Sequence, residues 1–193
     1  MRRLVLIRHA NPAIQSDVPP AEWGLSEAGV RRARALADRV RPGSARAVYT
    51  STERKAVETA QLLGTAWQLP VTPVLGLHEH ERPGEPLVQA SEFERRVREL
   101  FGRPRDLVYG TETGEQAKRR FKRAVATLLA TDSDDVIVVS HGTVMTLFVS
   151  AAAGVEPFAF WQSLEMPCAV TLTPPALSIA GMTSVEEPSA TGL

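Results

Sequence analysis

Apolar and polar positions alternate along the chain between two kinds of segment. Short, unbroken apolar runs rich in β-branched residues lie at Leu4 to Ile7, Ala47 to Thr50 and Val136 to Val139, with a fourth at Ala169 to Leu172. Runs of that length are predicted to be strands buried on both faces. Between them apolar residues recur at helical spacing. Val30, Ala33, Ala37 and Val40 form one stripe behind the N-cap candidate Ser26, and Ala56, Ala60, Leu63 and Trp67 form another behind Ser51-Thr52. Ser91 with Glu94 and Thr113 with Gln116 read as capping boxes. They open helices with stripes at Phe93, Val97 and Leu100, and at Ala117, Phe121, Ala124 and Leu128.

The resulting order is strand, helix, strand, helix, an irregular middle, helices, strand, helix, strand. Parallel strands need long crossovers, and helical crossovers cover both faces of a sheet. The expected fold is therefore an α/β/α three-layer sandwich with a largely parallel central sheet. No internal repeat is present, so a single domain is expected over residues 1–175. From about Pro174 the chain turns to Pro, Ala, Ser, Thr and Glu without a period. Residues 176–193 are accordingly expected to form a flexible C-terminal tail.

Composition narrows the function classes. Lysine plus arginine and aspartate plus glutamate both total 22, so no global field recruits nucleic acid or an anionic membrane. Any anion site must be local. The one cysteine, Cys168, sits in an apolar segment and rules out an internal disulfide or a multi-cysteine metal site. Leu4 to Ile7 is cut off by Arg8 and His9 well short of an export signal, and no stretch reaches membrane-spanning length. The cytoplasm is the expected location.

Chemistry gathers where the first three apolar runs stop. Arg8-His9 follows the first, Ser51-Thr52-Glu53-Arg54 the second and Ser140-His141-Gly142-Thr143 the third. In an open parallel sheet the C-terminal strand ends share one edge, which is the usual ligand crevice. Two arginines and two histidines are thus expected around one pocket. Arginine suits phosphate oxygens, and the turns after Ser51 and Ser140 offer unpaired backbone amides to an anion. Arg54 opposes its own helix dipole, a conflict that a bound anion would remove. Two histidines at such a pocket fit covalent phosphoryl transfer, one attacking phosphorus as a neutral imidazole and the other, if protonated, stabilising charge on the equatorial oxygens. The proton for the leaving alcohol would come from a carboxylic acid of raised pKa within Leu77-His78-Glu79-His80-Glu81-Arg82-Pro83. The residues alone leave open which carboxylate reaches.

These segments resemble the histidine phosphatase superfamily, which includes cofactor-dependent phosphoglycerate mutases, fructose bisphosphatases and many small phosphatases. Arg8-His9-Ala10 is similar to its Arg-His-Gly, and Leu25 to Ala33 to its Leu-Thr-x-x-Gly-x-x-Gln-Ala. Ser51 to Ala60 is similar to Ser-x-x-x-Arg-Ala-x-x-Thr-Ala, with one residue standing between Arg54 and Ala56, and Val138 to Gly142 looks like the second histidine motif. The resemblance spans Leu4 to about Leu172. It implies that His9 is the nucleophile, that Arg8, Arg54 and His141 hold the phosphoryl group, and that Glu79 is the general acid, with Glu81 in reserve. Thr143 is a further candidate hydroxyl donor to the phosphate. Ala10 departs from the family glycine and puts a methyl group where positive φ or close ligand approach is a concern.

Other features take plainer readings. His78 and His80 flank Glu79, but no spaced third ligand set accompanies them, and no metal is expected there. Lys118, Arg119, Arg120, Lys122 and Arg123 fall on the polar side of their helix as a solvated face. Relatives sometimes turn a basic residue of this region to the active site, which singles out Arg119 and Arg120. Trp23, Phe158, Phe160 and Trp161 read as packing. The expected activity is metal- and cofactor-free hydrolysis of a small phosphate monoester through a phosphohistidine. A mutase-type phosphoryl transferase and a non-catalytic phosphate-binding module are the alternatives. The oligomeric state is not written in the sequence.

Overall fold

The computed structural model describes residues 2–85 and 87–185. Its sheet has six strands: β1 (Leu4–Arg8), β2 (Val48–Thr50), β3 (Val71–Pro73), β4 (Val136–Ser140), β5 (Cys168–Thr173) and β6 (Ser178–Ser184), in the spatial order β3-β2-β4-β1-β5-β6. The pairs β2–β3, β2–β4 and β1–β4 are parallel, and β5 and β6 add antiparallel at one edge. The helices are α1 (Glu27–Arg39), α2 (Arg54–Trp67), α3 (Ala90–Gly102), α4 (Gly114–Thr131), α5 (Gly142–Ala153) and α6 (Pro157–Ser163), with a 3₁₀ turn at Pro20–Glu22.

Because successive strand residues point to opposite faces, each unbroken apolar strand feeds two cores at once. Val5, Ile7, Ile137, Val139 and Val48 pack on one side against Leu36 of α1 and Ala56, Ala60 and Leu63 of α2. Leu4, Leu6, Val136 and Val138 pack on the other side with Val97 and Leu100 of α3, Phe121 of α4, Met145 and Phe148 of α5 and Phe158 of α6. The three layers follow directly. Burying a side chain such as Phe121 or Leu100, both wholly enclosed, is worth about 1.5–3 kcal/mol. The near-continuous burial of α5 explains why its sequence carries no amphipathic stripe.

Several expected boundaries shift. Ser26 caps α1 by accepting from Gly29 N–H, and Thr113 and Gln116 form the full capping box of α4. Ser91, in contrast, lies inside the first turn of α3, which begins at Ala90 after Gln89. α2 is preceded by Glu53 rather than by Ser51-Thr52. Two strands carry no apolar run to announce them. β3 has three residues and ends at Pro73, and β6 is a largely exposed edge containing Gly181. β6 also corrects the expected tail, since residues 178–184 pair with β5 and Val185 is buried in the α1/α2 core. The rest of that tail, 186–193, lies outside the described residues. Among those described, no helix is long and apolar enough to cross a membrane.

Register sets up the site. Arg8 stands opposite Ser140 and Thr50 opposite Val139, and His9 N–H and Ser51 N–H continue the ladder to Ser140 and Val139 carbonyls at 2.9 Å each. The residues that follow the three parallel strands are therefore carried onto one edge.

Candidate functional site

His9 and His141 meet at that edge with ring centroids 5.1 Å apart and planes at 60°. His9 Nδ1 lies 2.8 Å from its neighbour's carbonyl, Ala10 O. A carbonyl only accepts, so Nδ1 carries the proton and the lone pair is left on Nε2. Burial holds the His9 pKa well below the usual histidine value, and His141, Lys55 and Arg8 push it the same way against the Ala10 carbonyl. His9 is thus a neutral imidazole with one nucleophilic nitrogen. His141 is also held well below the usual value, by burial, then by Lys55, with Glu79 opposing and His78 and Arg8 adding to the fall. Its role as a charged phosphate ligand depends on protonation, which this environment disfavours; its Nε2 lies 2.7 Å from Ser51 Oγ and its Nδ1 is buried without a partner.

Ala10 is accommodated. It is fully buried, has no positive φ, and gives its N–H to Thr59 Oγ1 at 3.0 Å. Thr59 Oγ1 in turn donates to Lys55 O at 2.7 Å, which ties α2 to the turn that carries His9.

The cations differ from the expected pair. Arg8 reaches the carbonyl of Leu164 through Nη1, and its Nε is buried without a partner. Gly142 lets it in: a Cβ there would stand 3.2 Å from Arg8 Cζ and Nε and 3.3 Å from Trp161 Nε1. Arg54 does not face the pocket. Its side chain is 62% exposed and pairs with Glu58 at 2.7 Å, one helical turn on. Lys55 takes the inward place, 6% exposed, bonded to Pro20 O at 2.7 Å and paired with Glu53. The reason is helical geometry: Lys55, Ala56, Thr59, Ala60 and Leu63 share the buried face of α2, and Arg54 lies outside it. Read without an insertion, Ser-x-x-x-Arg-Ala-x-x-Thr-Ala places Lys55 at the arginine position.

The carboxylates also depart from expectation. Glu79 accepts from His80 N–H at 2.9 Å and from Thr143 and Val144 N–H at 3.1 Å each, at the N-terminus of α5. Burial alone would raise this carboxyl, but His141 and the amide bonds from Thr143 and His80 outweigh it and hold it below the usual glutamate value. The expected raised pKa is therefore absent. Thr143 is buried in the first turn of α5 and contributes its amide to Glu79. Glu81 is turned away, its carboxylate 3.0 Å from His78 Nε2. His80 points elsewhere, to Glu112 O at 2.7 Å.

Arg120 turns inward from the basic stretch of α4. Its guanidinium donates to Gly76 O and His78 O at 2.9 Å, to Glu79 O at 3.0 Å and to Glu112 Oε1 at 2.6 Å. It clamps the loop that carries Glu79. Lys55 is the residue that the sequence reading did not place at the site; Ser51 and Glu53 were placed at the strand edge without a role of their own, and of Arg119 and Arg120 it is Arg120 that turns toward it.

The ordered set of motifs is matched by the family model for the histidine phosphatase superfamily (branch 1) over residues 4–174. The chain belongs to that superfamily. Solved structures agree on the fold. A phosphoserine phosphatase from Entamoeba histolytica, in complex with 3-phosphoglyceric acid, superposes with a TM-score of 0.75 at 16% identity, over 96% of this chain and 98% of that one. A mycobacterial glucosyl-3-phosphoglycerate phosphatase in complex with VO3 gives 0.71 at 20% identity, over 95% and 98%. A comparison with curated proteins returns no match. Family membership makes this a phosphatase-type enzyme.

Proposed function

We propose that the chain hydrolyses small phosphate monoesters through a phosphohistidine on His9, without a metal or other cofactor. The observation that carries this reading is the fixed tautomer of His9: Nδ1–H is bound to Ala10 O at 2.8 Å, burial keeps the ring neutral, and Nε2 retains its lone pair.

Arg8, Lys55 and His141 hold the phosphoryl oxygens. Nε2 of His9 attacks phosphorus and the bond to the leaving oxygen breaks. Glu79 protonates that oxygen. Its ionised state in the unliganded pocket is compatible with this role, because a phosphate anion brought beside a buried carboxylate raises the carboxyl pKa by like charge. The proton arrives with the substrate, since a phosphate monoester binds one near neutral pH, with a second pKa of about 6. Water then attacks phosphorus, Glu79 takes its proton, and the P–N bond breaks to return His9 and release inorganic phosphate. The phosphatases that share the fold act on, or bind, small carboxylated phosphates by their names, which makes such esters the first natural substrates to screen.

The test is hydrolysis of an aryl phosphate in excess EDTA by wild type and His9→Ala. Turnover that survives chelation and is lost with His9 supports the reading. Equal turnover in both proteins, or turnover abolished by EDTA, contradicts it.

A further inference from the structure

Glu53 stands where the family pattern prescribes no residue type, yet its carboxylate is directed into the pocket. Oε1 accepts from Glu79 N–H at 2.8 Å and lies 3.6 Å from His141 Nε2, while Oε2 is ion-paired with Lys55. The side chain is 12% exposed. It precedes α2 but makes no cap bond to that helix, so helix capping does not account for its direction. A cation, a histidine and a backbone amide are the donors that a phosphoryl oxygen uses.

We propose that Glu53 is a resident counter-anion of the phosphoryl pocket, competing with bound phosphate for Lys55 and His141 and so setting the affinity for substrate and the release of inorganic phosphate. The inference rests on the pocket's holding a phosphoryl group, as argued above. Charge supports it. Arg8 and Lys55 are balanced by Glu53 and Glu79, so a phosphate anion meets no net attraction from these four side chains. Moving a carboxylate away from Lys55 and His141 therefore favours binding. Glu79 is anchored by three backbone amides, whereas Glu53 accepts one. Glu53 is the carboxylate more readily moved aside. Once phosphate leaves, its return to Lys55 prevents rebinding.

Calorimetric titration with inorganic phosphate tests this on wild type, Glu53→Gln and Glu53→Leu, each checked for a cooperative melt. A merely structural Glu53 would weaken binding when replaced. The proposal expects the opposite: phosphate binding at least tenfold tighter in both variants, a parallel fall in KM for an aryl phosphate, and loss of the gain when Lys55→Met is added. Unchanged or weaker phosphate binding in both variants overturns the resident-anion role while leaving the phosphatase reading intact. No phosphate binding by wild type or by either variant overturns both.

Discussion

Replacing Arg120 with alanine removes the clamp on the Glu79 loop while touching none of the reacting groups. The guanidinium serves three loop carbonyls and the Glu112 carboxylate at 2.6 to 3.0 Å. The ion pair is mostly enclosed, with side-chain exposures of 16% for Arg120 and 10% for Glu112. Alanine leaves Glu112 without its cation and Gly76, His78 and Glu79 carbonyls without that donor. Breaking a buried pair costs about 3–5 kcal/mol, and the residual exposure here argues for the low end, about 3 kcal/mol. For a chain of this size each kcal/mol moves Tm by about 2–4 °C, so a fall of about 6–12 °C is expected in a thermal melt. Arg120→Lys keeps the charge but not the planar fork and should lose roughly half as much. kcat should fall more than KM rises, because the displaced group is the proposed proton donor rather than a phosphate ligand. An Arg120→Ala protein with an unchanged Tm and unchanged kcat would refute the clamp.

The two neighbouring cations of α2 should separate cleanly: Lys55→Ala is expected to cut kcat/KM by about 10²-fold or more, whereas Arg54→Ala, which loses an exposed pair worth about 0.5 kcal/mol, should change it less than about twofold. Steady-state kinetics on an aryl phosphate decide the matter, and equal losses would restore Arg54 to the pocket. His9 and His141 have folded pKa values below the unfolded value of about 6.5, so the unfolded state binds protons first and stability falls as pH drops below about 6.5, by up to about 1.4 kcal/mol per pH unit for each histidine. Thermal melts across that range should show the loss, and His9→Asn should remove its share of it; a melt that is flat from neutral pH down to pH 5 would contradict the lowered pKa values of the two histidines. Ala10→Gly should leave activity within about twofold and destabilise the fold by about 0.5–1 kcal/mol through added freedom of the unfolded chain, as read by chemical denaturation. A large gain in kcat would show instead that the methyl group obstructs the pocket.

Where burial dictated residue type, the sequence was directly readable. β1 and β4 are apolar on both faces because both faces are covered, and that same feature reports a sheet between helical layers. The strand-end rule then brought Arg8, His9 and His141 to one edge without knowledge of any contact. β3 and β6 were not readable, because edge strands of three residues or with exposed side chains need no apolar run. At the site, the error at α2 came from favouring arginine chemistry over helix periodicity. Lys55 with Thr59 lies beside the stripe of Ala56, Ala60 and Leu63, a spacing that marks Lys55 as inward and Arg54 as outward. The low pKa of Glu79 and the direction of Glu53 depend on backbone amides contributed by α5 and by Glu79 itself. Such groups carry no side-chain signature, so only the folded chain reveals them.

The most direct test of the covalent mechanism is to mix enzyme with an aryl phosphate, quench with alkali to preserve an acid-labile phosphoramidate, and locate the phosphate by peptide mass spectrometry. The account predicts phosphate on His9 in wild type, a higher occupancy when Glu79→Gln slows hydrolysis of the intermediate, and no label in His9→Ala. Phosphate on another residue, or rapid turnover with no covalent intermediate under conditions where Glu79→Gln should accumulate it, would contradict the assignment of His9 as nucleophile.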